Sequence, residues 1–205
     1  MQINTLVGSI YEANCYILTF ETYAVVIDPC VSYNEIKKIT KDLEIKAVFI
    51  THAHADHFCY LKDLKDNVEA KIYCHKNARE KIEDPKKNYS MISKFSINFT
   101  FNNEDYIYVH EGSVVEIKDA KFKIIETPGH SNCSICININ EVMFTGDTLF
   151  YHTIGRTDLY SSNTYDMTSS VKKLKNLKAD YIVYPGHGQK TTLSHEKEYN
   201  RYFKV

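Results

Sequence analysis

The sequence predicts an α/β (α+β) chain in which helices cover sheets, and three observations predict it. Short runs rich in β-branched and aromatic residues recur, among them Tyr23-Ala24-Val25-Val26-Ile27, Ile45-Lys46-Ala47-Val48-Phe49-Ile50 and Phe122-Lys123-Ile124-Ile125-Glu126, and such runs read as strands. Apolar residues at helical spacing stand between them, as in Ile36, Ile39 and Leu43 and again in Met167, Val171, Leu174 and Leu177. The order is strands, helix, strands, helix in two successive halves, a pattern that lays helices against sheets. No linker or low-complexity segment interrupts the 205 residues. The length suits a single domain over residues 1–205 with ample material for a core.

Taken in order, Cys15 to Phe20 and Tyr23 to Asp28 read as two strands joined through Glu21-Thr22, with Asp28-Pro29 ending the second. Ser32-Tyr33-Asn34-Glu35 has the S-x-x-E form of a capping box and should start the first amphipathic helix. Tyr60, Leu61 and Leu64 mark a second helix, Ala70 to Cys74 a strand, and His75 to Glu83 a short helix carrying Arg79 and Lys81. Residues 84–90 form a loop. From Asp105 to Met143 the chain is strand-rich, with one turn at Glu111-Gly112-Ser113. Asn163 can cap the helix whose apolar face is Met167, Val171, Leu174 and Leu177, and Ser194 can start a last one. His75 and His110 lie outside every motif and are expected to be structural or exposed.

Composition excludes several classes of function. The 25 Lys and Arg nearly balance the 26 Asp and Glu, so no basic excess points to nucleic acid. The start, Met1-Gln2-Ile3-Asn4-Thr5-Leu6, lacks the basic end and apolar core of a signal peptide, and no stretch approaches the length of a membrane span. A cytoplasmic protein with no membrane partner is expected. The pair Cys133-Ser134-Ile135-Cys136 suggests a redox couple or half a zinc site, but it runs into the strand-like Ile137-Asn138-Ile139 and has no second CxxC. Small buried residues on a strand, with all six cysteines unpaired, is the better reading.

The stretch Thr51-His52-Ala53-His54-Ala55-Asp56-His57 carries the chemistry. On a helix His52 and His54 would diverge. In an extended segment they share a face, because side chains there repeat every second residue. Asp56 lies two further on, and His57 can join it only if the backbone turns. The spacing predicts a strand end that delivers His52 and His54 to one point and Asp56 and His57 to a second one nearby, the layout of a two-metal site. Clustered His and Asp in matching register mark a metal or catalytic site rather than four unrelated surface residues. A regularity among the glycines points the same way. The chain has only seven, yet Gly129, Gly146 and Gly186 each stand immediately before a further candidate ligand, His130, Asp147 and His187. Glycine suits a sharp turn at a strand end.

This stretch resembles the HxHxDH signature of the metallo-β-lactamase fold. The other positions that family needs follow in order, each after an apolar run: Thr127-Pro128-Gly129-His130-Ser131, Phe144-Thr145-Gly146-Asp147-Thr148 and Tyr184-Pro185-Gly186-His187-Gly188. The resemblance implies a four-layer αββα sandwich. It implies that His52, His54 and His130 hold one divalent metal and Asp56, His57 and His187 a second, that Asp147 bridges them, and that Asp28 supports the ligand loop from behind. Imidazole and carboxylate without thiolate suit zinc, and iron or manganese also take such ligands. Two adjacent cations would bring a shared water to near-neutral pKa and polarise an acyl carbonyl, with Asp56 and Asp147 as the catalytic carboxylates.

Within that family, Gly146 to Phe150 followed by Ile154-Gly155-Arg156-Thr157-Asp158-Leu159 is similar to the glyoxalase II-like (hydroxyacylglutathione hydrolase-like) branch, in its short single-domain form. Arg156, nine positions after Asp147, stands where that branch binds the glutathione carboxylate. An ion pair with Asp158 is the structural alternative. Only eighteen residues follow His187, too few for the C-terminal helical domain of full-length glyoxalase II. Asp158 also replaces the usual aromatic residue. The implied activity is therefore metal-dependent hydrolysis of S-D-lactoylglutathione or a related acyl thioester. An iron-dependent persulfide dioxygenase, a hydrolase of another ester or lactone, and a non-catalytic metal-binding module are the competing readings. The oligomeric state is not legible.

Overall fold

The β-branched runs of the N-terminal half form one six-stranded sheet in the computed structural model, which describes residues 1–92, 97 and 99–204. The chain divides into two units, Met1–Tyr108 and Val109–Val205. In the first, β1 (Gln2–Val7), β2 (Asn14–Thr19) and β3 (Tyr23–Ile27) run antiparallel, with β2 and β3 joined by the hairpin expected at Glu21-Thr22. Helix α1 (Tyr33–Thr40) crosses to β4 (Glu44–Phe49), which lies parallel to β3. Consecutive residues of these central strands, Val25 to Ile27 and Ala47 to Phe49, are fully buried, the signature of a strand covered on both faces.

The capping box at Ser32 is present in both halves: Ser32 Oγ accepts from Glu35 N, and Glu35 accepts from Ser32 N. The helix is shorter than its periodicity predicted. It ends at Thr40 because Lys41 turns to φ 52, which leaves Leu43 outside it. Beyond β4 come α2 (Ala55–Phe58), a single turn that hydrophobic periodicity did not reveal, then α3 (Leu61–Asn67) and β5 (Lys71–His75), parallel to β4. The helix expected over 75–83 is reduced to α4 (Arg79–Ile82). Strand β6 (Tyr106–Val109) completes the sheet beside β5.

The turn at Glu111-Gly112-Ser113, with Gly112 at φ 77, does not make a hairpin. It passes the chain from β6 to β7 (Val114–Ile117), the edge of a second six-stranded sheet. That sheet continues with β8 (Ala120–Glu126), β9 (Ile135–Ile139) and β10 (Val142–Gly146), each antiparallel to the one before. A two-residue hairpin follows, β11 (Leu149–Phe150) and β12 (Thr153–Ile154). Helix α5 (Thr164–Lys175) is capped as expected, with the Asn163 side chain accepting from Tyr165 N and Asp166 N. Its Met167, Val171 and Leu174 are buried in one cluster with Cys136, Met143, Val183, Leu193 and Phe203. Strand β13 (Ile182–Pro185) then lies parallel to β10, and β14 (Thr191–Thr192) pairs with β13. Helix α6 (Leu193–Tyr199) is capped by Thr192, two residues before the Ser194 start expected from sequence. Among the described residues no helix is long and apolar enough to cross a membrane.

All six cysteines are free thiols. Cys136 is buried on β9 and Cys133 is buried just before it, in line with the packing role read from sequence. Burial pushes the Cys136 thiol up to about 11.

Candidate metal centre

In the first unit the ligand loop leaves the buried end of β4 and turns at once into α2. After β4 the chain does not run on extended as the spacing predicted but bends at Thr51 and His52, with His54 extended at φ −90 and ψ 139. The His52 and His54 ring centroids lie 4.8 Å apart, and the helical turn that follows brings the His57 ring to 4.3 Å from His52. His57 Nε2 lies 3.6 Å from Asp56 Oδ2. His52, His54 and His57 are buried and Asp56 is half-buried.

One carboxylate orients this loop. Asp28 sits just past β3 at φ 53, a left-handed position that Asp and Asn tolerate better than most residues. Its Oδ1 accepts from Thr51 N at 2.8 Å, and its Oδ2 accepts from Thr51 Oγ1 at 2.6 Å and lies 3.0 Å from His57 Nδ1. An ionised carboxylate only accepts. In the neutral His57 ring the hydrogen therefore sits on Nδ1, and Nε2 keeps its lone pair. Because Thr51 spends its hydroxyl hydrogen on Asp28, its oxygen accepts from His52 Nδ1 at 3.2 Å, which leaves the His52 Nε2 lone pair available too. One buried anion thus sets two tautomers, directly and through a hydroxyl relay, as partners behind metal-binding imidazoles do.

The loop 84–90 contributes to the same neighbourhood. The Asn88 side chain is fully buried and donates to Lys81 O and Ile82 O, while the Asn88 carbonyl accepts from Ala55 N at 2.9 Å at the start of α2. Tyr89 stands edge-on to His54 at 5.5 Å. Nothing in residues 84–90 marked them for this role, since the contacts depend on a chain reversal and not on a pattern.

In the second unit three side chains converge from three separated strand ends. Strands β8, β10 and β13 all run in the same direction, so the residues after them emerge at one edge of the sheet. His130 Nε2 lies 3.3 Å from Asp147 Oδ2, and His187 Nε2 lies 3.6 Å from the same oxygen. Here backbone does the orienting. Gly129 is at φ 144, and a Cβ there would come within 2.4 Å of the Met167 backbone, so α5 presses directly on the His130 turn. That turn is also tied by Asn163 N donating to Gly129 O and Ser170 Oγ donating to Pro128 O. Gly146, at φ 47, accepts from Gly186 N at 2.8 Å and so couples the turns that carry Asp147 and His187. His130 Nδ1 lies 2.9 Å from the Arg156 carbonyl, which can only accept, so in the neutral ring Nε2 again bears the lone pair.

Facing lone pairs at such separations repel unless a cation lies between them. The Nε2 atoms of His57 and His130 each point at a carboxylate oxygen with their hydrogens committed elsewhere, and this donor set fits a divalent ion with nitrogen and oxygen ligands.

A cavity of about 550 Å³ opens on the second unit's ligands. His130, Asp147 and His187 line it together with Phe150, Tyr151 and Arg156. Gly155 borders it as well. A Cβ at that position would meet the Asp147 carbonyl at 1.9 Å and His130 Cγ at 3.1 Å, a constraint that the sequence showed only as one more glycine. The Arg156 guanidinium forms a bidentate pair with Asp158, 2.7 and 2.8 Å, and both side chains are well exposed. That pairing holds the Asp158 carboxyl below its usual range. His110 is exposed, and buried His75 accepts from Asn77 N, so neither belongs to these groups.

Comparison with known proteins bears on this arrangement. The family described as the Metallo-beta-lactamase superfamily matches residues 10–187. A protein of Streptococcus pyogenes named a probable metallo-hydrolase is 31% identical over 99% of this chain and 90% of its own length. The hydroxyacylglutathione hydrolase GloC of Haemophilus influenzae is 30% identical over 98% of this chain and 97% of its own. Among solved structures, the B3 metallo-beta-lactamase BLEG-1 superposes with a TM-score of 0.91 at 28% identity, covering all of both chains.

Proposed function

The chain belongs to the metallo-β-lactamase superfamily and has its fold, and from that premise we propose that it is a metal-dependent hydrolase of acyl thioesters, similar to hydroxyacylglutathione hydrolases. Two divalent ions, zinc by the character of the donors with iron or manganese as fitting substitutes, would be held by His52, His54 and His130 and by Asp56, His57 and His187, with Asp147 shared. When bound, they would supply a nucleophilic water at neutral pH and polarise the acyl carbonyl.

The chain's own residues do the rest. Asp28 and the Arg156 carbonyl keep the Nδ1 hydrogens of His57 and His130 in place, so that Nε2 is the ligating atom. Asp56, half-buried beside His57, can accept a proton from the attacking water and pass it to a departing thiolate. Phe150 and Tyr151 offer an apolar wall for the acyl group in the cavity that His130, Asp147 and His187 line. Arg156 stands on the same wall, and its fork is shaped for a carboxylate. Asp158 already occupies that fork, so a substrate carboxylate must displace it. A thiol part recognised loosely, and not glutathione alone, follows from this competition.

The observation that carries the proposal is the His130, Asp147 and His187 group at one sheet edge, opening on a cavity that also holds a guanidinium. The test is hydrolysis of S-D-lactoylglutathione beside a simple non-glutathione thioester, by protein of measured metal content. Turnover of both, lost about a hundredfold or more in Asp147→Ala together with metal, is expected, since removing a ligand should exceed the 10- to 100-fold effect of removing its supporting partners. Full activity in that variant, or no hydrolysis of either thioester by metal-loaded protein, overturns the reading.

A further inference from the structure

The second unit holds another convergence of imidazoles that no motif announced. The hairpin of β11 and β12 turns through Tyr151 and His152, and His152 sits at φ 60, a conformation that side chains other than glycine rarely adopt. Glu196 holds it there. This carboxylate is fully buried: its Oε2 accepts from His152 N at 2.9 Å and from Asn200 Nδ2 at 2.8 Å, and its Oε1 accepts from Thr191 Oγ1 at 2.7 Å. His195 is fixed from the other side, because its backbone N–H is bound by the Thr192 cap of α6.

The outcome is that His152 Nε2 and His195 Nε2 lie 2.7 Å apart in rings inclined by only 9°, stacked beneath Tyr151. His152 is exposed and His195 half-buried, so solvent reaches the point on which both nitrogens converge. A single exposed hydrogen bond calls for neither a left-handed turn nor a saturated buried carboxylate. Two nitrogen donors held on one accessible point make sense of both.

We propose that His152 and His195 form a peripheral site for one first-row transition ion, of the class of Zn²⁺, Ni²⁺ or Cu²⁺, with water completing its shell. Imidazole pairs suit these ions. In the neutral pair one Nε2 carries the hydrogen of the 2.7 Å bond, and the ion takes its place as that ring changes tautomer, its Nε2 proton leaving to solvent and another arriving on Nδ1, so that both imidazoles bind neutral. Zinc–nitrogen bonds in a tetrahedral shell set two nitrogens about 3.3 Å apart, which the exposed His152 ring reaches by a small rotation. Glu196 lies within 4.8 Å of both rings and adds negative charge, but its hydrogen bonds keep it an anchor of the turn. Tyr151 also lines the cavity of His130, Asp147 and His187, so an occupied site would stiffen one wall of that cavity.

The test compares wild type with His152→Asn, which tolerates the left-handed turn, and His195→Gln, by equilibrium dialysis against Zn²⁺ with metal analysis. Wild type should take up one equivalent more than either variant, with at least a tenfold loss of affinity for that equivalent in the variants. Asp147→Ala should keep it, which separates this result from the fate of the thioesterase reading. If a variant does not fold, substoichiometric Cu²⁺ added to wild type decides, because it should selectively broaden the His152 and His195 imidazole NMR signals. Equal uptake by wild type and folded variants, or unbroadened signals, would reduce the pair to a proton-sharing contact and overturn the proposal.

Discussion

The two units place potential metal ligands by opposite means. The first compresses four into the six residues from His52 to His57, one strand end and one helical turn, and orients them with a single buried carboxylate. The second draws His130, Asp147 and His187 from three strand ends and orients them with backbone: glycines pressed against neighbours, a carbonyl on His130, a turn-to-turn hydrogen bond. A side-chain support fails gently. A backbone support has no room to yield, so mutations in the two units should fail in different currencies, metal affinity in one and folding in the other.

The largest effect should come from Gly129→Ala. Its Cβ would overlap the Met167 backbone at a φ that disfavours alanine, and the unfolding free energy should fall by about 3 kcal/mol or more in urea titration. A loss below about 1 kcal/mol would mean that α5 gives way and the backbone support is soft. Next comes Asp28→Asn. Asparagine accepts the left-handed position, so the fold should hold, while an amide cannot satisfy three donors as the carboxylate does, and metal affinity should drop about 10- to 100-fold. Retained affinity would show that the histidine tautomers do not depend on Asp28. A smaller effect separates thiols. With its thiol pushed up to about 11 by burial, Cys136 should stay unmodified by a thiol reagent at pH 8 in native protein and react only after denaturation.

The smallest concerns pH. The Lys65 ammonium, 2.9 Å away, holds the Asp105 carboxyl below the ordinary aspartate range. A depressed folded-state pKa adds stability above the unfolded value and loses it as pH falls through the folded one. Acidification below about pH 4 should therefore remove up to about 1 kcal/mol, and Lys65→Met should abolish that part of the acid sensitivity.

Legibility followed the same division. The HxHxDH run could be read because its geometry is local, although the chain leaves β4 through a bend at Thr51 and His52 and not through the straight extended exit that the spacing predicted, before the helical step of α2. His130, Asp147 and His187 were found by resemblance and by the glycine before each, and the reason for Gly129 became visible only with Met167 against it. Strands, the Ser32 capping box and the Asn163 cap were legible because each depends on residues within a few positions. The single turn of α2 was too short for a period to show, and Ser194 was mistaken for the start of α6 because Thr192, also a good cap, stands two residues earlier. The His152 and His195 pair left no trace, since 43 residues separate two ordinary histidines.

The bond from Gly186 N to Gly146 O has a consequence for how such a chain can change over generations. It pins the outgoing ends of β10 and β13 to each other, whereas the segments entering those strands, Asn140-Glu141 and Leu177 to Tyr181, carry no ligand. Insertions and deletions should accumulate at the entering ends, where they cost hydrogen bonds such as Ile182 N to Glu141 O but leave the ligands in place. One residue gained or lost at the outgoing ends would turn Asp147 or His187 away, so length variation among descendants should be confined to one rim of the sheet.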